Sequence, residues 1–148
     1  MKNKIFLIIF FFIIFHNQSL SEPLRFESAE IEIKENGNKV IAKNGKAITQ
    51  NDSIEIEAAN FEYSKTSKVL KAFNGSAFLK LDNIKIDFDS LIYDEKNFII
   101  SANDNVKIFD FKKDLTITTD LIIFDQKKNL IKSNKRSTLI DKINNILN

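Results

Sequence analysis

The sequence predicts an all-β protein built from about eight to ten short antiparallel strands. Three observations predict this class: apolar and polar residues alternate, the chain repeats itself about every 30 residues, and turn-forming residues separate the apolar runs. The alternation is seen at Ile54 and Ile56 and again at Ile84 and Ile86. It places apolar side chains on one face of a strand, with charged residues or Thr on the other.

The repeat keeps its register over three units. Three sets of equivalent residues recur at spacings of 30 or 31 residues: Ala42, Ala72 and Ala102; Ile56, Ile86 and Ile117; and Tyr63, Tyr93 and Phe124. A fourth unit begins at Leu130. A period of this length indicates a stacked or meandering β-unit.

Turn residues agree with this interpretation. All three glycines follow an asparagine, the pair that best tolerates positive φ, so a tight hairpin turn is predicted at each. Two further turns are predicted where polar residues interrupt the apolar runs, at Asp82-Asn83 and at Lys112-Lys113-Asp114. The glycine turns are Asn36-Gly37, Asn44-Gly45 and Asn74-Gly75.

The C-terminal segment is open to two interpretations. Its apolar residues lie near helical spacing after Ser137 and Thr138, which are possible N-caps, so the first interpretation is a short C-terminal helix. The second interpretation is a final strand. The apolar residues concerned are Leu139, Ile140, Ile143, Ile146 and Leu147.

The N-terminus predicts export. Lys2 and Lys4 precede an unbroken apolar run, Ile5–Phe15, and Ser19 and Ser21 are suitable small residues for signal-peptidase cleavage. The apolar run has 11 residues, whereas a membrane span needs roughly 20. We therefore expect residues 1–21 to be a cleaved signal peptide and residues 22–148 to be a single domain in the periplasm. A retained membrane anchor is the alternative.

Composition argues against several classes of function. Removal of residues 1–21 leaves 20 basic and 20 acidic residues, with no strong basic run, which disfavours nucleic-acid binding. The remaining chain has no His, Cys or Trp, so it lacks the usual catalytic bases, nucleophile pairs and zinc ligands. We expect no enzymatic activity, metal or cofactor. We interpret the densest acidic cluster as the solvent-facing side of strands. It comprises Asp82, Asp87, Asp89 and Asp94.

Within each repeat the pattern is an apolar pair, Ala, a short Asn/Gly turn, Ile-x-Ile and then an aromatic residue often followed by Asp. This pattern, from about Phe26 to Ile140, resembles the OstA-like domain of lipopolysaccharide transport. That domain occurs in the LptA-type periplasmic bridge protein and in the N-terminal part of LptD-type outer-membrane assembly proteins. The segment Ser133–Asn144 looks more like the LptD type, so a stand-alone bridge protein and an LptD-like fragment are both possible origins.

The resemblance implies an antiparallel β-jellyroll, a sheet folded over like a taco, with an apolar slot along one side. It implies that the slot shields lipopolysaccharide acyl chains, and that domains join end to end through edge strands, with homologous domains or with copies of the chain. Ten residues are the candidates for the slot lining: Ile54, Ile56, Phe61, Tyr63, Ile84, Ile86, Phe88, Tyr93, Ile108 and Ile117.

Three other classes stay open at this stage. An LptC-type anchored protein would retain the apolar N-terminal run in a membrane. A secreted β-solenoid enzyme such as a polysaccharide lyase would also repeat, although no loops with clustered acids and bases are evident. A structural β-repeat of an adhesin would use the same residues as an ordinary core.

Overall fold

The computed structural model describes residues 24–141. These residues form one nine-stranded sheet in which all neighbours are antiparallel and β1 to β8 follow the order of the chain. β8 and β9 both pair with β7, along opposite halves of its length. The strands are β1 Arg25–Lys34, β2 Lys39–Ile48, β3 Ile54–Ser64, β4 Val69–Leu79, β5 Ile84–Asp94, β6 Ile99–Asp110, β7 Leu115–Asp125, β8 Leu130–Lys132 and β9 Ser137–Asp141.

This architecture confirms the predicted all-β class and the antiparallel pairing, and it excludes the parallel rungs of a β-solenoid. Ser137–Asp141 is a strand, so the C-terminal helix is wrong over these residues. The rest of that predicted helix and the predicted signal peptide lie outside the described residues. Within residues 24–141, the one helical element is a short 3-10 turn, Glu35–Gly37.

The hairpin turns lie in two rows, one at each end of the strands. The first rim contains the turns that follow β2, β4 and β6, at residues 49–53, 80–83 and 111–114. The second rim contains those that follow β1, β3, β5 and β7, at residues 35–38, 65–68, 95–98 and 126–129. The predicted turns at Asn36-Gly37, Asp82-Asn83 and Lys112-Lys113-Asp114 are confirmed.

The predicted turns at Asn44-Gly45 and Asn74-Gly75 are wrong, because both pairs lie inside strands. Asn44 and Asn74 do have positive φ, 50° and 53°. The chain nevertheless continues as a strand, since the residues on both sides stay paired with the neighbouring strands. The asparagines therefore mark irregular points within long strands.

These points form a continuous line across the sheet, which we call the crease. At the crease the ladder pairing between neighbouring strands is interrupted, and in β6 two successive residues have positive φ. The crease residues recur about every 15 positions, half of the sequence repeat, because each repeat is one hairpin. They are Ala29, Asn44, Ala59, Asn74, Asp89, Asp104, Asn105 and Asp120.

The sheet is folded at the crease. Phe26 pairs with Ala47 on one side of this line, whereas Phe61 pairs with Ala42 on the other side. In a flat sheet, two strands and five residues of separation would place Phe26 and Phe61 about 19 Å apart. Their ring centroids are 5.9 Å apart, with an edge-to-face angle of 78°. The two halves of the sheet therefore face each other.

Alternation restarts at the crease, so both halves turn their apolar residues to the same interior. In β3, Ile54 and Ile56 are buried at even positions, whereas Phe61 and Tyr63 are buried at odd positions. A regular strand would place these two pairs on opposite faces. The extra residue at the crease restores a common face, as a β-bulge does.

Small and large side chains alternate across the sheet within the interior. One row of directly paired residues begins at Ala42 and Phe61 and continues in the same manner across four more strands. Alternation of this kind lets the facing halves interdigitate, and each fully buried large side chain contributes roughly 1.5–3 kcal/mol. The complete row is Ala42, Phe61, Ala72, Leu91, Ala102 and Ile122, all with at most 1% exposure.

Replacement of Gly75 by alanine should destabilise the protein. A Cβ atom at Gly75 would collide with the backbone oxygen of Glu57 and lie 2.8 Å from the Cβ of Ala58. Backbone cannot yield as a flexible side chain does, so we expect a loss of about 2 kcal/mol in the free energy of unfolding. Urea denaturation measures this loss. Ser76→Ala, the next residue of β4, is the control, and equal stability of the two variants would contradict a tight crease.

Candidate functional site

All ten predicted slot residues lie on the interior face. Nine of them are buried, and Ile117 is partly buried and packs against the core. The structure thus brings the candidates together, although most of them are enclosed by their neighbours. Ile56, Phe61 and Ile86 have at most 1% exposure. Contact between lipid and any of the ten stays a prediction.

Near β1 the interior is filled by aromatic rings. Phe26 extends from β1 across the interior to Phe61 and Tyr63, with ring centroids 5.9 Å and 6.0 Å away. Leu24 is buried in the same core. This part of the fold is held by the protein's own side chains.

Near β7 the interior opens into a cavity of about 340 Å³ between the two rims. Three of the ten predicted residues, Ile84, Ile108 and Ile117, form part of its apolar wall, together with Leu115 and Ile131. The mouth is polar, and is lined by Asp82, Asp110, Lys112, Lys113 and Asn129. Apolar walls below a polar mouth are typical of sites for ligands with an apolar body and a polar end.

A second cavity, of about 410 Å³, continues along the same gap and shares Asp82 and Asn129 with the first. Its apolar lining comes from both rims and the strands that lead to them, and comprises Ile54, Leu79, Leu81, Phe98 and Phe124. Its polar lining comprises Asn51, Ser53, Asp82, Gln126, Lys127 and Asn129. The two cavities together mark an opening between the rims, opposite the crease.

Ion pairs and hydrogen bonds fix the charged groups at the first rim. Burial disfavours ionisation of Asp110, but hydrogen bonds from Lys113 and Lys112 outweigh it and hold the pKa of this carboxyl below its usual value. Both backbone amides donate to Asp110 Oδ1 at 3.0 Å. Lys112 Nζ donates to the Leu81 carbonyl oxygen at 2.8 Å. The charged groups of Asp110 and Lys112 are therefore held in place where the cavity meets water.

Polar side chains also enter the inner side of the second rim. Burial raises the pKa of the Tyr63 hydroxyl and of the Glu95 carboxyl, which lie beside each other. Burial likewise raises the pKa of Tyr93, and the adjacent Gln126 side chain opposes that rise. Glu95 Oε1 and Gln126 Nε2 have almost no accessible surface, and their side chains lie beside the hydroxyls of Tyr63 and Tyr93 respectively.

Glu95 and Gln126 are not among the site residues predicted from the sequence. A signal was present, because each stands two residues after a repeated aromatic residue, Tyr93 and Phe124 respectively. A side chain two residues after the aromatic residue points to the same, interior face of the strand. Whether a residue at this position is buried depends on the second rim facing the interior, and the sequence alone does not reveal that orientation.

The two edges of the sheet leave interior residues partly uncovered. Ile31 and Ile33 of β1 pair directly with buried Ala42 and Val40, yet they are 50% and 64% exposed. Leu139 of β9 pairs with Ile117 and is also exposed. The apolar interior thus extends to both edges of the sheet.

Within residues 24–141, no group of three or more His, Cys, Asp or Glu side chains is arranged to hold a metal ion. No helix in the same range is long and apolar enough to cross a membrane.

Comparison with known proteins gives a structural match. No family model matches the sequence, and no curated protein matches it. Among the solved structures that match is LptH from Pseudomonas aeruginosa, described as the LptA homologous periplasmic component of the lipopolysaccharide transport device. The TM-score is 0.68 at 13% sequence identity, and the match covers 80% of this chain and 94% of LptH.

The chain has the fold of an LptA homologue. The antiparallel jellyroll that the sequence resemblance implied is therefore confirmed, and the crease is the line along which its sheet folds over.

Proposed function

We propose that this protein is a non-catalytic periplasmic carrier that shields lipopolysaccharide acyl chains in the gap between its two rims. The main support for the proposal is the pair of cavities. They have apolar walls and a polar mouth, and together they lie along the open side of the jellyroll. Acyl chains gain about 0.8 kcal/mol per buried CH₂ group, so binding requires an apolar channel and no reaction. The likeness to LptH supports this function.

We further propose that the rims separate to admit the chains. Much of the interior is occupied by the protein's own side chains. The two cavities, of about 340 and 410 Å³, are too small to hold several acyl chains. Among residues 24–141, backbone hydrogen bonds between turns join turns of the same rim, as from Lys80 to Ser53 and from Glu95 to Lys68. Separation of the rims would leave these bonds intact.

Replacement of Ile117 by aspartate should reduce lipid binding while the fold survives. Ile117 lines the first cavity and is partly buried, so a carboxylate there can reach water but places charge where acyl chains would lie. We expect bound lipopolysaccharide to fall about tenfold or more. Mass spectrometry of lipid that copurifies from the periplasm measures it, and thermal melts verify folding.

Ile123→Asp is the matched control, because Ile123 lies on the same strand but is 40% exposed on the outer face. Equal lipid in the two variants would contradict the proposal. The intact mass of the same material also tests export, since removal of residues 1–21 gives a chain that begins at Glu22. An intact N-terminus in the membrane fraction would instead favour an LptC-type anchored protein.

We also propose that the chain joins end to end with homologous domains or with itself through β1 and the β8–β9 edge. Exposed interior residues at both edges support this, because a paired strand would cover them and continue the apolar channel. Ile33→Lys should therefore weaken association in sedimentation velocity over a range of concentrations. Ile92→Lys, on the outer face, is the control, and a wild-type chain that stays monomeric without a homologous partner would contradict self-association.

A further inference from the structure

The outer face of the sheet changes in character at the end of β6. Across β1 to β4 this face carries Lys–Glu ion pairs, such as Lys43 with Glu30. On β6 and the turn after it, Phe109 and Phe111 take the place of such pairs. Their rings are nearly parallel, at 11°, with centroids 6.3 Å apart, and Phe111 is 54% exposed. An exposed apolar patch on an otherwise charged face is typical of a contact site for another molecule.

Two lysines lie against this aromatic patch. The Nζ atoms of Lys107 and Lys85 are 4.9 Å and 5.8 Å from the centroid of the Phe109 ring. Lys85 also forms an ion pair with Asp87, at 2.8 Å. Lys107 is exposed and has no ion pair with any residue of the range 24–141. The patch therefore carries one positive charge that no carboxylate of this range balances, which favours an anionic ligand.

Hydroxyl groups continue the same face beyond the aromatic rings. Thr116 of β7 pairs directly with Phe109, and Thr118 pairs with Lys107. Directly paired residues of neighbouring strands share a face of the sheet. We call Lys107, Phe109, Phe111, Thr116 and Thr118 together the Phe-Lys surface.

The composition of the Phe-Lys surface matches the chemistry of an acidic sugar. A pyranose ring has an apolar face of C–H groups that packs against an aromatic ring, and hydroxyls that exchange hydrogen bonds with side chains such as Thr. The carboxylate of an acidic sugar accepts a charge-assisted hydrogen bond from a lysine. A hydrocarbon chain would use only the rings of this surface, and an inorganic anion would use only the lysine.

The Phe-Lys surface begins at the mouth of the first cavity. Phe111 lies between Asp110 and Lys112 in the chain, and both of these residues line that mouth. The head group of a molecule whose acyl chain occupies the cavity would therefore emerge beside Phe111. From there the outer face of β6 and β7 is reached by passing over the first rim.

We propose that the Phe-Lys surface binds an acidic sugar of the head group whose acyl chain lies between the rims. The sugar ring packs on Phe111, and its carboxylate accepts a hydrogen bond from Lys107. This inference rests on the proposed acyl-chain site and extends recognition from the chain to the head group. It would let the protein distinguish an acidic glycolipid from a lipid with a small head group.

The test compares two α-1,4-linked trisaccharides, trigalacturonate and galactotriose, which differ in the carboxylates. Nuclear magnetic resonance titration of the wild-type protein should shift the ring resonances of Phe109 and Phe111. Trigalacturonate should bind about tenfold more tightly, as one charge-assisted hydrogen bond predicts. This measurement does not depend on the folding of a variant.

Two variants separate the charge from the rings. Lys107→Gln should remove the preference for trigalacturonate and leave the affinity for galactotriose within about twofold. Phe111→Ala should weaken both trisaccharides by about fivefold. Lys71→Gln and Ile92→Ala are the matched controls, because these two residues pair with each other on the outer face beyond the crease and are exposed. Both controls should bind as the wild type does.

The possible failures are distinguishable. A wild-type protein that copurifies with lipopolysaccharide but binds neither trisaccharide would overturn this inference and leave the acyl-chain site standing. Equal affinity for the two trisaccharides, or a preference that Lys107→Gln leaves unchanged, would also overturn it. Shifts of Phe109 and Phe111 with protein concentration alone would assign the surface to a second copy of the chain instead. Trigalacturonate binding without copurified lipid would support the Phe-Lys surface and contradict the acyl-chain site.

Discussion

The crease determines how the two halves of the sheet come to share one apolar core. Along a regular strand, Ile56 and Phe61 would face opposite sides, so half of the apolar residues of every strand would face water. One additional residue at Ala59, and its equivalents on the neighbouring strands, returns both halves to a common face. Because all long strands bend at the same line, a single sheet forms both walls of its own core.

Folding at the crease also determines where a ligand can enter. The strand halves are joined at the crease. Within residues 24–141, the opposite side, where the two rims meet, is therefore held by side-chain packing and not by a backbone ladder. Aromatic rings close this region near β1, whereas near β7 two cavities remain between the rims. The candidate site is therefore a consequence of how a single sheet closes on itself.

Much of this fold was predictable from sequence, because alternation and the 30-residue repeat are local or periodic signals. The repeat placed Ala42, Ala72 and Ala102 together, and the register confirms that they share one row. The turns at Asn44 and Asn74 were wrong because positive φ serves a hairpin and a bulge equally well. Local sequence carries no information that separates the two; only pairing on both sides of the asparagine does.

The candidate site was less predictable. The interior position of all ten slot residues follows from alternation within each half-strand, but their degree of enclosure does not, since it depends on what faces them across the fold. Only Ile54, Ile84, Ile108 and Ile117 reach the cavities. The inward placement of Glu95 and Gln126 was missed because it requires the second rim to face the interior.

Entry of acyl chains between the rims near β7 can be tested by paramagnetic broadening of isoleucine methyl resonances. The probe is a fatty acid with a spin label near its chain end. Broadening should be strongest at Ile84, Ile108, Ile117 and Ile131, which line the first cavity. It should be weak at Ile92 and Ile123, which are exposed on the outer face. Equal broadening on both faces, or broadening confined to the outer isoleucines, would contradict the account.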